Sequence, residues 1–533
     1  MYITTVPNRN SPPAILLRES FREKGQVRNR TLANLSHWPA VRVEALRRLL
    51  RGEFDQAAEL SRAPQLGGVF GLLFVLKQIA EALGIGAALG HRRLAKLALF
   101  LVLARVAHQG SRLSAVRWAQ DQAVAEVLGL GKFDEDDLYA ALDDLAARQG
   151  KIEKTLYRRY LARRGQPPRL FLYDVTSSYL EGEKNALGEY GYNRDGKRGK
   201  LQIVLGLLAD EEGEPLAVRV FEGNRSDPTT VVEQIKILQE QFGVEELVFV
   251  GDRGMVKRKG KEALTAAGLR YITALTDPQI RGLLAQGTLQ LSLFSETVSE
   301  VQGAGVRYIL RRNPEEAARE QHRLDDKLAK LEAQIQARNE QVRTHPRCQP
   351  EAGQRAMEAW IGRHKLTGRV AIQLESAQLK LQRNEEGIQR ALELAGCYVV
   401  TTDVASSALS AQQVHDSYVS LQKVERDFRT LKTGLLEVRP VWVRKENRTR
   451  GHVFCCLLAL KISREMERRL RAAWGTTETR ADAITLPDAL RALARLGLLH
   501  YAVDEKTTVT KLPQPDARQQ EILEALKVTL PTL

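Results

Sequence analysis

The stretch Arg169-Leu-Phe-Leu-Tyr-Asp-Val-Thr-Ser-Ser-Tyr179 decides how this chain is read. Its apolar run, residues 170–172, is launched from the turn Gly165-Gln-Pro-Pro168. A short hydrophobic run leaving a turn is the pattern of a buried strand. The run ends on a carboxylate, Asp174, and three hydroxyl residues follow, Thr176, Ser177 and Ser178. A carboxylate at the end of a central strand stands at the rim of a sheet, where open α/β folds bind ligands. Taken alone, an Asp in this position more often caps a turn. The rest of the chain shifts that balance.

Downstream, residues 201–209 read as a strand, Asp210-Glu-Glu-Gly213 as a turn and residues 215–221 as the returning strand of a hairpin. Asp227 and Pro228 then open a helix, with Asp227 as N-cap and Pro228 at the first helical position, running to about residue 242. A buried strand over 247–250 ends at Gly251-Asp-Arg-Gly254. A basic helix over 257–267 and a strand over 271–275 follow. This alternation predicts a mixed α/β domain. Asp174 and Asp252 both come directly after hydrophobic strands. If those strands are neighbours, the two carboxylates meet at one edge.

Residues 278–395 break the rhythm and read as an insertion, because a strand, Cys397-Tyr-Val-Val-Thr-Thr402, returns after them. Inside it, 321–342 is a charged helix with the apolar stripe Leu324, Leu328, Leu331 and Ile335. Residues 349–355 read as a polar loop and 374–394 as helical. Residues 411–433 predict one long helix bearing Tyr418, Glu425, Arg429 and Lys432. Residues 438–444 look strand-like; a basic turn over 445–450 and an apolar helix over 452–473 follow. Upstream, 15–22 and 27–35 predict an arginine-rich β-hairpin with Arg18, Arg22, Arg28 and Arg30, and the remainder of 1–160 is helical by period.

The composition narrows the function. The 533 residues suit two to four domains. Eighty Lys and Arg against 65 Asp and Glu give a net charge of +15, which favours a polyanionic partner, nucleic acid before membrane. Aromatic residues make up only 6%, which argues against a single-strand binder built on stacked bases. The four cysteines, Cys348, Cys397, Cys455 and Cys456, contain no C-x-x-C pair, so neither a zinc site nor a disulfide framework is expected, and the chain reads as intracellular. The first residues lack a basic segment followed by an apolar core, so no signal peptide is expected. The apolar runs are too short to span a bilayer.

Three acids stand out: Asp174, Asp252 and Glu425. Hard divalent cations such as Mg²⁺ take oxygen ligands, usually a few carboxylates plus substrate phosphate. Two such ions roughly 4 Å apart can activate a nucleophile and stabilise the leaving oxygen in phosphoryl transfer. Three carboxylates at one sheet edge would otherwise repel the anionic substrate of a basic protein.

Five segments carry a resemblance: Tyr173-Asp-Val-Thr-Ser-Ser178, Gln202-Ile-Val-Leu-Gly-Leu-Leu208, Gly223-Asn-Arg-Ser-Asp227, Gly251-Asp-Arg-Gly-Met255 and Glu425-Arg-Asp-Phe-Arg-Thr-Leu-Lys432. Over roughly residues 15–470 the chain resembles the DDE transposases of bacterial insertion sequences, in the group with an insertion between the second Asp and the Glu. That group's signature is Tyr-x2-Arg-x3-Glu-x6-Lys. Tyr418, Glu425 and Lys432 match in register, but Leu421 stands at the arginine position.

The resemblance implies an α/β ribonuclease-H-like catalytic core, a mixed sheet flanked by helices, with a mostly helical N-terminal domain and a largely helical insertion. The domains expected are a basic, DNA-end-binding 1–160, a core split into 165–277 and 396–475, an insertion over 278–395 and an appendix over 476–533. Asp174, Asp252 and Glu425 would be the catalytic residues and would hold Mg²⁺ or Mn²⁺, two ions in all. Tyr418, Arg429, Lys432, Arg253 and Arg444 would contact DNA, and Trp442 is a further candidate.

The implied partners are double-stranded DNA, both element ends and target, and a second copy in a synaptic homodimer, with no membrane. The implied location is the bacterial cytoplasm, at the nucleoid. The implied activity is cleavage at terminal inverted repeats and joining of the 3′-hydroxyl to target DNA. The alternatives are a metal-dependent nuclease without strand transfer and a non-catalytic DNA-binding descendant. Helical spacing adds one more expectation: Arg429, one turn beyond Glu425, supplies the positive charge missing at Leu421, unless it pairs with Asp427 or Glu437.

Overall fold

The computed structural model describes residues 1–8, 12–52, 64–197, 199–244, 247–253, 255–256, 258–303, 305–345, 347–432, 436–439, 443–476, 483–502 and 508–532. The chain divides into two compact units. One comprises Met1–Leu76, Arg117–Gly131 and Arg469–Leu533; the other comprises Lys77–Val116 and Lys132–Arg468.

In the first unit, strands β1 (Tyr2–Val6), β2 (Ala14–Glu23) and β3 (Gln26–Asn34) form an antiparallel sheet in that order, followed by helix α1 (Ala40–Leu50). The expected hairpin is therefore present. Its two turn residues, Lys24 and Gly25, both have positive φ (53° and 80°), the backbone twist that a two-residue hairpin loop requires. A second sheet joins the two ends of the chain. Strand β4 (Gln65–Val69) pairs with β15 (Gly497–Ala502), which pairs in turn with β16 (Thr508–Lys511). The 476–533 tail thus shares a sheet with residues far upstream.

The second unit is built on eight strands. These are β5 (Leu170–Tyr179), β6 (Gln202–Asp210), β7 (Pro215–Glu222), β8 (Val248–Gly251), β9 (Arg270–Ala274), β10 (Ser299–Gln302), β11 (Arg307–Arg312) and β14 (Cys397–Thr402). They lie side by side in the order β10-β11-β14-β9-β8-β5-β6-β7. β5, β8 and β9 are mutually parallel, while β6 runs antiparallel to both β5 and β7. The five strands β5 to β9 thus lie in the order 3-2-1-4-5 of a ribonuclease-H-like core. β14, which follows the expected insertion, then extends the sheet on β9, and β11 and β10, which lie inside the expected 278–395, extend it further, all antiparallel, so the separate core of the insertion begins only after β11.

One face of β5 feeds the core. Phe171, Tyr173 and Val175 pack with Tyr157 and Tyr160 of helix α2 (Glu135–Arg164), and with Phe242 and Phe249. Tyr157 and Phe242 stack with centroids 4.1 Å apart. Gly206 of β6 is required here, because any side chain on it would collide with the Tyr173 hydroxyl. The first corrected expectation concerns this strand. Asp174 does not end it: pairing with β6 continues to Tyr179↔Gln202, so Asp174 and the hydroxyl run lie inside β5. Ser226, not the expected Asp227, occupies the N-cap position of helix α3 (Asp227–Lys236). The basic helix is α4 (Arg258–Ala266).

Residues 314–392 carry a core of their own. The stripe Leu324, Leu328, Leu331 and Ile335 of helix α5 (Pro314–Thr344) packs against Trp360, Ile361, Leu366, Ile372 and Leu379. Two expectations fail here. The polar loop at 349–355 is the start of helix α6 (Pro350–Arg363), with Pro350 in the first turn, where its missing N–H costs nothing. The helix at 374–394 is instead a hairpin, β12 (Val370–Glu375) and β13 (Gln378–Arg383), followed by a short helix, Glu385–Leu392. Val370, Ile372 and Leu379, Leu381 alternate with exposed residues, the two-residue period of a half-buried strand. Ser376 and Ala377 adopt positive φ (49° and 65°) to close the turn without a glycine.

The long helix expected at 411–433 is two helices, α7 (Ala411–Val419) and α8 (Leu421–Lys432), separated at Ser420. Ser417 and Ser420 each donate a hydroxyl to the carbonyl four residues back, at 2.6 and 3.0 Å, a competition with the backbone ladder that bends helices. Residues 438–439 and 443–444 are not strand, and Trp442 lies outside the described residues. Helix α9 (Glu446–Trp474) buries an apolar run over residues 453–460. Among the described residues no helix is long and apolar enough to cross a membrane.

Candidate active site

β5 and β8 run parallel with Tyr173 opposite Gly251. One register step further sets Asp174 beside Asp252, on neighbouring strands about 4.8 Å apart. Phe171, Tyr173 and Val175 point into the core, so the alternation sends Asp174 and Thr176 to the opposite face. Helix α8 packs there. It buries Leu421, Val424, Asp427, Phe428 and Leu431 and leaves Glu425 and Arg429 exposed. The result is one cleft of about 390 Å³, lined by Asp174, Asp252 and Glu425 together with Arg429, Lys432, Arg194 and Asp195.

The acids crowd one another. Burial, reinforced by the charges of Asp252 and Glu425, pushes the Asp174 carboxyl up to about 7, although the Val175 N–H donates to it at 2.7 Å. Asp252 Oδ1 accepts from the Arg253 backbone N–H at 2.7 Å and from the Tyr418 hydroxyl at 3.0 Å. Burial and then Asp252 hold the Tyr418 phenol well above its usual range. Lys432 donates to Thr176 Oγ1 at 3.1 Å and forms an ion pair with Asp195. Asp195 is anchored by the Tyr179 N–H at 3.3 Å, and the Arg194 N–H donates to Ser177 Oγ at 2.8 Å. Both bonds tie the 193–195 loop to β5. α8 is pinned from behind by Arg464 of α9, whose Nη1 lies 2.6 and 2.7 Å from the two oxygens of buried Asp427.

Residues 165–462, more than half of the chain, match the transposase DDE domain, and residues 3–64 match the IS1634 family transposase, N-terminal domain. The chain belongs to the DDE transposases of bacterial insertion sequences. Among solved structures, it is similar to the piggyBac transposase synaptic complex with hairpin DNA, at 9% identity over 81% of this chain and 82% of that one, with a TM-score of 0.36. It is also similar to the Mos1 transposase paired-end complex with left transposon end, at 12% identity over 28% of this chain and 52% of that one, with a TM-score of 0.15. The chain spans about half the length of the latter. No curated protein matches it.

In this transposase the cleft gathers five of the residues singled out from the sequence: Asp174, Asp252, Glu425, Arg429 and Lys432. Tyr418 reaches the cluster through Asp252. Two others stand apart. Arg253 is exposed, 3.9 Å from Asp277, and lines a neighbouring cavity of about 830 Å³. Arg444 lines a separate pocket with Glu181 and Asn185. Asp427, one of the two acids weighed as an alternative partner for Arg429, forms an ion pair with Arg464. Leu421, at the signature's arginine position, is 7% exposed and belongs to the apolar side of α8.

Arg194 and Asp195 were not anticipated. The segment Tyr192-Asn-Arg-Asp-Gly-Lys197 reads as a polar loop, and its one local signal is an acid set between cations. The pairing of Asp427 with Arg464 was missed because nothing local couples residues on different helices.

DDE transposase domains depend on divalent metal as a class. Among the described residues, no three His, Cys, Asp or Glu side chains stand in a finished metal-holding arrangement. The donor set of Asp174, Asp252 and Glu425 nevertheless suits a hard cation in kind: all ligand atoms are carboxylate oxygens in one cleft. Burial raises the Asp174 carboxyl first of all, the charges of Asp252 and Glu425 add to it, and Arg194 opposes them.

Proposed function

We propose that this transposase binds the terminal inverted repeats of its element, hydrolyses a phosphodiester at each end and joins the freed 3′-hydroxyl to target DNA. The observation that carries the reading is the single cleft shared by Asp174, Asp252, Glu425, Arg429 and Lys432. Asp174, Asp252 and Glu425 would hold the divalent ions, Mg²⁺ or Mn²⁺, two in number. When bound, such ions activate the attacking oxygen and stabilise the leaving one.

The protein's own groups do the rest. Arg429 and Lys432 draw the scissile phosphate toward the acids, which an empty carboxylate cluster would repel. Arg429 presents a planar guanidinium suited to two phosphate oxygens, and Lys432 presents a point charge. Tyr418 fixes one oxygen of Asp252 and leaves the other available. In the first step a water oxygen forms the new bond to phosphorus and the 3′-oxygen leaves. In the second that 3′-oxygen attacks a target phosphate and displaces a strand oxygen. Arg253 and Arg444, both exposed, would hold backbone phosphates further along the duplex, and residues 1–160 would supply end recognition. Two copies would pair the two ends.

The test is to incubate the full chain with Mg²⁺ or Mn²⁺ and duplex DNA carrying the ends that flank its gene. End cleavage plus joined products is expected. Cleavage without joined products would reduce the reading to a nuclease, and no cleavage in either metal would reject it.

A further inference from the structure

The β2–β3 hairpin carries four arginines, and the strand register sorts them onto opposite faces. Residues directly opposite one another across a strand pair share a face. Glu19↔Arg30 and Phe21↔Arg28 lie on one face; Arg18↔Thr31, Ser20↔Asn29 and Arg22↔Val27 lie on the other.

On the first face the charge is already compensated. Arg30 lies 2.7 Å from Glu19, Arg28 lies 2.9 Å from Glu23, and the Arg30 guanidinium sits 5.8 Å from the centre of the Phe21 ring. The second face has no acidic residue. Ser20 Oγ donates to Asn29 Oδ1 at 2.7 Å, and among the described residues neither Arg18 nor Arg22 takes part in an ion pair.

Residues 20–32 are all exposed, so both faces of this end of the ribbon meet solvent; Arg18, at its base, is half-buried with Nε shielded. A two-stranded ribbon is marginal by itself in water and gains stability when one face is covered. Its width suits the major groove of duplex DNA, about 12 Å across. Charge complementarity selects which face enters. Uncompensated arginines release counterions on meeting phosphates, whereas arginines already paired with Glu must first give up that pairing.

We propose that the ribbon docks in the major groove of duplex DNA by the face bearing Arg18, Ser20, Arg22, Asn29 and Thr31. Arg18 and Arg22 contact the flanking phosphates, and the Glu-compensated face with Arg28 and Arg30 points away. This rests on the reading that residues 1–160 recognise DNA ends.

The experiment compares two double variants of the full chain, Arg18→Ala/Arg22→Ala and Arg28→Gln/Arg30→Gln. Each is titrated with terminal-repeat duplex and with scrambled duplex over a salt series. The first variant is expected to bind at least tenfold more weakly. Its slope of log affinity against log salt should fall by about 2, since each phosphate that is no longer neutralised removes roughly 0.9. The second should stay within about twofold of the parent, the small effect typical of exposed ion pairs. Arg22→Ala alone, at an exposed position, should lower the slope by about 1. Arg18→Lys/Arg22→Lys, which keeps the charge, should restore the slope. Greater weakening by the Arg28/Arg30 variant overturns the choice of face and leaves end recognition by residues 1–160 standing. Unchanged binding by every variant overturns docking by the ribbon on either face and moves end recognition to other residues.

Discussion

The Tyr418 hydroxyl, at the end of α7, donates to Oδ1 of Asp252 at the end of β8, at a distance of 3.0 Å. The bond ties the helix that precedes Glu425 to the second acid of the cleft. Tyr418→Phe removes that donor and leaves the ring's packing in place. A hydrogen bond to a charged group contributes about 1.5–3 kcal/mol, so end cleavage should fall about tenfold or more with duplex affinity near the parent's. Single-turnover cleavage measures this. A parental rate would mean that the carboxylate is held without the tyrosine.

Asp174→Asn, Asp252→Asn and Glu425→Gln should each abolish cleavage and retain binding to DNA ends. An amide keeps the shape of the side chain and removes the charge. Mg²⁺-dependent cleavage by any one of these variants at a parental rate would remove that residue from the site.

Arg429→Ala should slow cleavage or joining by roughly tenfold, the loss of one charged hydrogen bond in the transition state. Leu421 acts differently. It is buried with Val424 and Phe428, so Leu421→Ala should cost about 2–5 kcal/mol of stability. Leu421→Arg would place a charge in the apolar side of α8, and it should unfold the chain at lower denaturant without restoring activity to Arg429→Ala. Denaturant midpoints and cleavage rates read the two effects separately.

Arg464→Ala should destabilise the second unit by about 3 kcal/mol, the low end for breaking a buried pair, because Asp427 is 3% exposed and its partner 25%. Burial already pushes the Asp427 carboxyl up to about 7 against the pull of Arg464, so the loss of that cation leaves an acid with little solvation. The double change Asp427→Leu/Arg464→Met should cost less than either single truncation. A thermal midpoint for Arg464→Ala equal to the parent's would show that the pair contributes nothing.

Much of this was legible in the chain because it is encoded locally. The strand around Asp174, the apolar stripe from Leu324 to Ile335, the positively twisted turn at Lys24-Gly25 and the five family segments each lie within a few residues of one another. Local period sets which side of an element is apolar, so these readings needed no tertiary information. The hairpin over 370–383 was within reach too, since its alternation has a strand's period, but its turn contains Ser376 and Ala377 where glycine or asparagine would have announced it.

By itself, then, the sequence determined the class of the core and the net positive charge, and it singled out three acids that line one cleft. Tertiary structure alone decided what meets what. The parallel register of β5 and β8 brings Asp174 beside Asp252, the seat of α8 brings Glu425 to both, and Asp195 takes hold of Lys432 from a loop that reads as featureless. The hairpin's arginines divide in the same way. Four similar residues become two kinds because a one-residue change of register would move every side chain to the other face. Register, helix docking and charge pairing between distant segments are cooperative results of packing, and no local stretch of the chain carries them.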